Sequence, residues 1–155
     1  MPRIPFIPRV SLALSLLLRA YRTPVCFGTN AIVELANDKV VLVRHRYMAG
    51  LCFPGGGVLP GEAPADAVIR ELEEEIGLAR FETLELFGLY TRKVGWTTNV
   101  VALYRVNNAV IDFKPNVEIS DVVETDPRDP PPDTSPATRR RLAEFTGASP
   151  IGSMW

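Results

Sequence analysis

From residue 28 to 46 the chain is rich in Val, Ile and Leu, interrupted at Ala36-Asn37-Asp38. β-Branched runs on either side of turn-forming residues predict two strands, over 28–35 and 39–46, joined as a hairpin. Cys52-Phe53 is a short extended piece that enters Pro54-Gly55-Gly56-Gly57. Over 64–76 the apolar period changes to that of a helix, with Ala65, Val68, Ile69, Leu72 and Ile76 on one side. Pro64 suits an early helical position, and Gly77 suits the left-handed position past the last turn. Two more apolar stretches, 81–94 and 98–106, read as strands joined at Gly95-Trp96-Thr97, and a short strand follows near 117–124.

Asp126-Pro-Arg-Asp-Pro-Pro-Pro-Asp133 holds too much proline for a helix or a central strand, so it is a stiff loop. Ser135-Pro136 then reads as an N-cap followed by proline at the first helical position. That helix runs to about Phe145 and ends at Gly147, with Arg139, Arg140 and Arg141 on a solvated face. Hairpins outnumber helical crossovers, which predicts a mixed or antiparallel sheet with helices packed on it.

The two ends stand apart from this pattern. Residues 1–24 carry Arg3, Arg9, Arg19 and Arg22, no acid, and a nine-residue uncharged run over 10–18. A bilayer span needs roughly 20 apolar residues, so the run is too short to cross. Arg19 and Arg22 follow it at once with no small-residue cleavage site, which argues against a secretory signal. We read the segment as a helix docked on the domain or on a second copy, with membrane contact as the lesser alternative. The organisation expected is 1–24 as this segment, 25–147 as one domain, and 148–155 as a tail.

With 155 residues the chain has the length of one domain and needs no disulfide or structural metal to build a core. Its net charge of -1 gives no global attraction for a nucleic acid polymer or an anionic membrane. Cys26 and Cys52 form no Cys-x-x-Cys pair, and His45 is the one histidine, so a zinc site of those residues is excluded. Both thiols read as buried and reduced, which fits a cytoplasmic location.

The chemistry gathers at 55–78. With Glu71 at 0° on the helix, Glu74 falls at about 300° and Glu75 at about 40°, at 3.6 residues per turn. The three form an acidic patch beside the apolar stripe. Like charges at these spacings cost roughly 0.2–0.5 kcal/mol per pair. The dipole at a helix C-terminus adds about 0.3–1 kcal/mol per anion. A divalent cation such as Mg²⁺ or Mn²⁺ reverses that cost, because carboxylate oxygens and water are its preferred ligands. The preceding glycines let backbone carbonyls approach a ligand closely.

The residues Gly56-x5-Glu62-x7-Arg70-Glu71-Leu72-x-Glu74-Glu75-x-Gly77-Leu78 match G-x5-E-x7-R-E-U-x-E-E-x-G-U, with U aliphatic, at all nine fixed positions. This pattern resembles the Nudix box. With Phe53-Pro54-Gly55 and the flanking strands, the likeness extends over about residues 25–146. It implies an α/β/α sandwich around a mixed sheet. It also implies Mg²⁺- or Mn²⁺-dependent hydrolysis of a nucleoside diphosphate linked to another moiety, or of a nucleoside triphosphate. Glu71, Glu74 and Glu75 would be the metal carboxylates and the Gly55 carbonyl a further ligand. Arg70 would hold the glutamates in place, and Glu62 would support them. Glu71 and Glu74 are candidates for the base that activates water. A small-molecule nucleotide is the implied partner and a homodimer the family's usual assembly. The alternative is a Nudix-fold module that senses a nucleotide without cleaving it.

Outside the box, Glu118 and Glu124 are candidates for a further ligand or base. Arg44, Arg46 and Tyr47 end the second strand near the glycine loop and are candidates for phosphate or sugar contacts. His45 among them reads as a partly exposed strand residue. Trp96 either stacks on a base or is a partly buried loop residue. Lys93 and Val94 stand where ADP-ribose-handling relatives carry proline, and Trp96 stands about where diadenosine-polyphosphate types carry tyrosine. The coenzyme A pattern is missing too, so the substrate stays open.

Overall fold

A computed structural model describes the backbone of residues 6–155 and the side chains of residues 13–155. Strand β1 (Val25–Leu35) and strand β2 (Val40–His45) are joined by the expected turn, but they pair only at Val33–Val41 and Glu34–Val40. The long partner of β1 is β6 (Thr97–Ile111), which runs parallel to it from Val25–Thr98 to Leu35–Ala109. β5 (Thr83–Val94) pairs antiparallel with the other edge of β6. β7 (Ile119–Thr125) and the two-residue β3 (Leu51–Cys52) pair with β2, and β4 (Leu78–Arg80) pairs with the end of β6. The sheet is therefore mixed.

The hairpin is shorter than the sequence predicts because another segment occupies the β1 edge. The Thr29 amide donates to the Gly56 carbonyl at 2.8 Å, and the Ala31 amide donates to the Pro54 carbonyl at 2.9 Å. The glycine loop thus lies along β1 where β2 would otherwise continue.

Alternation along the strands separates two apolar layers. Ala31, Val33, Val41 and Val43 face Val68, Leu72 and Ile76 of helix α2 (Pro64–Ile76). Ile32, Val40, Leu42, Tyr90 and Leu103 form the other core with Leu142 and Phe145 of helix α3 (Pro136–Phe145). The result is the expected α/β/α sandwich. Both helices start and stop close to the predicted positions, and the Ser135 hydroxyl accepts from the Thr138 amide as an N-cap.

Three expectations are corrected. Helix α1 (Phe6–Arg22) forms, but from residue 13 to 22 every side chain is exposed, with Leu17 at 69% and Tyr21 at 78%. These turns do not pack on the domain, and docking on a second copy of the chain stands as a proposal. No described helix is long and apolar enough to cross a membrane. The side chains of Arg3 and Arg9 lie outside the described residues. Cys26 is exposed and Cys52 half-buried, because Cys26 falls on the first residues of β1, beyond both apolar layers. Arg141 is buried rather than solvated, and the Arg139 guanidinium donates to the Thr134 and Pro131 carbonyls.

Leu72→Ala, in the fully buried α2 layer, will lower the free energy of unfolding by about 2–5 kcal/mol. Leu86→Ala, at a site 58% exposed on β5, will change it by no more than about 0.5 kcal/mol. Urea denaturation followed by circular dichroism measures both.

Candidate active site

The acidic end of α2 is closed by two devices. Gly77 takes the left-handed conformation at φ 65°, and its amide donates to the Glu73 carbonyl at 3.2 Å. Asn116, in the loop before β7, donates through Nδ2 to the Glu74 and Glu75 carbonyls, each at 3.2 Å. It thereby satisfies carbonyls that a helix end leaves without partners. The same residue holds 116–118 over the glutamates. Its Oδ1 accepts from the amides of Glu118 and Ile119. Arg46 fastens the loop from β2, donating through Nε to the Asn116 carbonyl and through its amide to the Glu118 carbonyl.

Arg70 organises the outer side of the patch. Its Nε and Nη2 hold the Glu62 carboxylate at 2.8 and 3.0 Å, and Nη1 holds Glu71 Oε1 at 2.7 Å. Nη2 also reaches the Gly57 carbonyl at 3.0 Å, tying the helix to the glycine loop. Glu74 is a weaker partner at 3.7 Å and is 63% exposed. The Arg70 guanidinium and then the Leu59 amide hold the Glu62 carboxyl down at about 2, so it stays charged at any working pH.

Glu75 lies on the inner side, beside the apolar stripe, and is only 4% exposed. Its Oε2 accepts from the Gly55 amide at 2.7 Å. Burial pushes its carboxyl up to about 7. The Gly55 hydrogen bond opposes that shift, and the charges of Glu71, Glu118 and Glu74 add to it. His45 is buried as well, against expectation, because it ends β2 under the 116–118 loop. Its Nδ1 has no hydrogen-bond partner and stands 3.9 Å from Glu75 Oε1. Desolvation lowers the His45 pKa, and the nearby Glu118 charge partly restores it. At neutral pH the imidazole is therefore uncharged and gives Glu75 no counter-ion.

Gly55 makes this packing possible. Its φ is 141°, and a Cβ there would stand 2.2 Å from the Thr29 carbonyl oxygen. A Cβ on Gly56 would meet the Glu71 carboxyl carbon at 2.4 Å. The Pro54 and Gly56 carbonyls are taken by β1 amides, whereas among the described residues no donor reaches the Gly55 carbonyl. The donor chemistry here is carboxylate and carbonyl oxygen, which suits Mg²⁺ or Mn²⁺. Among the described residues no three acidic, His or Cys side chains converge as a closed cage. Glu71 turns to Arg70 and Glu75 to the Gly55 amide instead. A buried glutamate ringed by like charges, beside a carbonyl with no donor, nevertheless fits a cation.

The other predicted residues divide. Glu118 is exposed at the mouth of the patch, sharing a small cavity of about 160 Å³ with Glu74 and Glu75. Glu124 pairs opposite Val41 at the far end of β2, roughly 13 Å from His45 along the strand at ~3.3 Å per residue. Arg44 is spent on Asp133 of the proline-rich loop at 2.7 Å. Tyr47 is 67% exposed, with its ring 5.2 Å from that of His45, and lines a cavity of about 520 Å³ that opens beside Gly55. Trp96 is 79% exposed at the β5–β6 turn and does not line that cavity. Sequence reasoning missed Asn116, Asn30 and Trp155. Asn30 on β1 donates through Nδ2 to the Phe53 carbonyl at 3.1 Å and holds the loop entrance. An asparagine after Pro115 signals a turn, but nothing local says that it caps a distant helix.

The raised pKa of Glu75 has a measurable consequence. The folded state binds that proton more tightly than the unfolded state, whose ordinary value is 4.5, so the Glu75 contribution to stability falls as pH climbs from about 4.5 through about 7. The lowered pKa of His45 acts in the opposite sense just below 6.5. Comparison with Glu75→Gln cancels the histidine. In EDTA, the wild type will lose about 2–3 kcal/mol relative to Glu75→Gln between pH 4.5 and 8. Urea denaturation across that range measures the difference, and added Mn²⁺ will shrink it.

The NUDIX domain profile matches residues 27–147. An RNA pyrophosphohydrolase of Pseudomonas putida is 42% identical over 59 residues, which is 37% of each chain. One of Pseudomonas savastanoi is 41% identical over 61 residues, or 38% of each. The chain thus spans under two fifths of the length of these curated relatives. Among solved structures, a MutT NUDIX hydrolase from Burkholderia pseudomallei superposes with a TM-score of 0.66 at 22% identity, covering 76% of this chain and 95% of that one. The E. coli ORF135 protein superposes at 0.65 with 24% identity, over 84% and 96%. These likenesses show the fold. With the profile spanning most of its length and every fixed position of the box filled, the chain belongs to the Nudix family.

Proposed function

We propose that the protein is a divalent-metal-dependent pyrophosphohydrolase that cleaves a phosphoanhydride bond in a small nucleotide. The substrate is a nucleoside diphosphate joined to another group or a nucleoside triphosphate. The observation that carries this reading is the buried Glu75 carboxylate, bonded to the Gly55 amide and facing Glu71, Glu74 and Glu118, with no Lys or Arg side chain paired to it among the described residues. The name of the Pseudomonas relatives points to the same reaction class.

Glu71, Glu74, Glu75 and the Gly55 carbonyl would hold Mg²⁺ or Mn²⁺. When bound, the ion supplies neutralisation of the phosphate oxygens and orientation for in-line attack by water. Arg70 keeps Glu71 turned toward the glycine loop and takes part of the patch's charge. Glu74 is the least engaged of the three and is open to solvent, which supports it over Glu71 as the group that would accept the proton of the attacking water. The 520 Å³ cavity beside Gly55 has the size of a small-ligand site and receives the rest of the nucleotide.

Glu74→Gln and Glu75→Gln will each lower turnover at least about tenfold, equal to about 1.4 kcal/mol in the barrier. The far-ultraviolet spectrum will not change. A phosphate-release screen over nucleotides, with Mg²⁺ or Mn²⁺ and then with chelator, measures this. Unchanged rates in both variants, or full activity in chelator, refute the reading.

A further inference from the structure

We infer that the C-terminal tail builds a base-stacking subsite in the cavity beside Gly55, with Trp155 as the platform and Arg92 and Arg140 as its polar partners. Residues 148–155 lie beyond the NUDIX match.

The tail is held against the domain by backbone bonds. The Thr91 amide donates to the Ser153 carbonyl at 2.9 Å, and the Trp155 amide donates to the Thr91 carbonyl at 3.0 Å. A buried ion pair on α3 anchors it from below. Arg141 and Glu144 are 3% and 8% exposed and meet at 2.7 Å. Arg141 Nη1 donates to the Met154 carbonyl at 2.6 Å, and Glu144 Oε1 accepts from the Gly152 amide at 3.0 Å. Glu144 Oε2 accepts from the Tyr90 hydroxyl at 2.8 Å, and the Arg141 guanidinium lies 4.3 Å over the Tyr90 ring. A buried ion pair is poor evidence of stability, because desolvation offsets its attraction. Here two of its bonds end on tail backbone, so what it fixes is the position of the tail.

That position sets Trp155. Its ring meets Tyr90 edge-on at 5.7 Å between centroids, is half-buried, and lines the cavity. Arg92 on β5 and Arg140 on α3 line the same cavity. Neither makes an ion pair among the described residues. An indole held by packing, on a cavity also lined by two arginines that no carboxylate pairs with, suits a planar ring with acceptor atoms on its edge. A nucleobase has that chemistry, and its phosphates would extend toward Gly55. Only that last placement rests on the hydrolase reading.

Trp96 and Trp155 are the two tryptophans, so Trp96→Phe leaves Trp155 as the sole indole reporter. In metal-free buffer, its emission will be quenched saturably by at least one of AMP, GMP, CMP and UMP at millimolar concentrations, and not by ribose 5-phosphate. In the otherwise unaltered chain, Trp155→Ala will raise KM for the preferred nucleotide about tenfold or more, with kcat within about twofold. Trp155→Phe will restore most of it. A substrate without a base, 5-phosphoribosyl pyrophosphate, will be turned over equally by all three. No quenching by any nucleotide, equal quenching by ribose 5-phosphate, or an unmoved KM in Trp155→Ala overturns the subsite. Quenching without any hydrolysis leaves the subsite standing and removes the hydrolase reading.

Discussion

The candidate site exists because β1 gives up its second partner early. β2 leaves it after two pairs, and the amides of Thr29 and Ala31 would point at nothing if the glycine loop did not enter the gap. An unpaired backbone amide inside a protein costs about as much as a lost hydrogen bond. The loop is therefore pinned as a false strand, bridging antiparallel at Gly28–Gly57. Its other side presses on α2, where side chains at Gly55 or Gly56 would collide with Thr29 or Glu71. The three-glycine segment thus touches both the β1 edge and the acidic helix.

That wedge explains the electrostatics. A helix that carried Glu71, Glu74 and Glu75 on a free surface would spread them into water and lose little. Here the loop excludes water from Glu75, Arg70 binds Glu71 and Glu62 together, and Asn116 brings Glu118 over the same helix end. Strain concentrates on one carboxylate, Glu75, whose proton affinity rises. The neighbouring imidazole does not relieve it, because His45 is itself desolvated. Charge that folding does not neutralise is left available to a ligand.

Much of this was legible in the sequence, and the reason is locality. The helix limits, its caps and the position of Glu75 beside the apolar stripe all follow from residues within a few turns of each other. The motif carried Arg70 and the glycines. What stayed hidden depends on long-range partners. Arg139–Arg141 looks like a solvated cationic run, yet Arg141 is buried because its acceptors are Glu144 and the carbonyl of Met154 in the tail. Its ring partner Tyr90 lies about fifty residues away on β5. His45 looked partly exposed because nothing near it in sequence announces the 116–118 loop above it. The two tryptophans make the same point. Trp96 has the better local context for a ligand contact, at a turn beside threonines, and it points into solvent. Trp155 sits in a tail without regular structure and lines the cavity.

The two layers of the sandwich therefore carry different parts of the site. The α2 layer carries the carboxylates proposed as oxygen ligands, on a helix whose polar edge borders its core face. The α3 layer sets the cavity wall, through a helix whose buried polar pair holds the tail. They meet at Gly55, which contacts Glu75 by its amide and lines the cavity. On the proposed function and subsite, a displacement of the loop at Gly55 would move the phosphate end and the base end of the nucleotide relative to each other. Registry between the two layers is accordingly fixed at the β1 edge, by the amides of Thr29 and Ala31 and the side chain of Asn30. Asn30 cannot be read as a site residue by charge or nucleophilicity. Its importance comes from standing where the sheet edge, the glycine loop and the cavity share one short stretch of backbone.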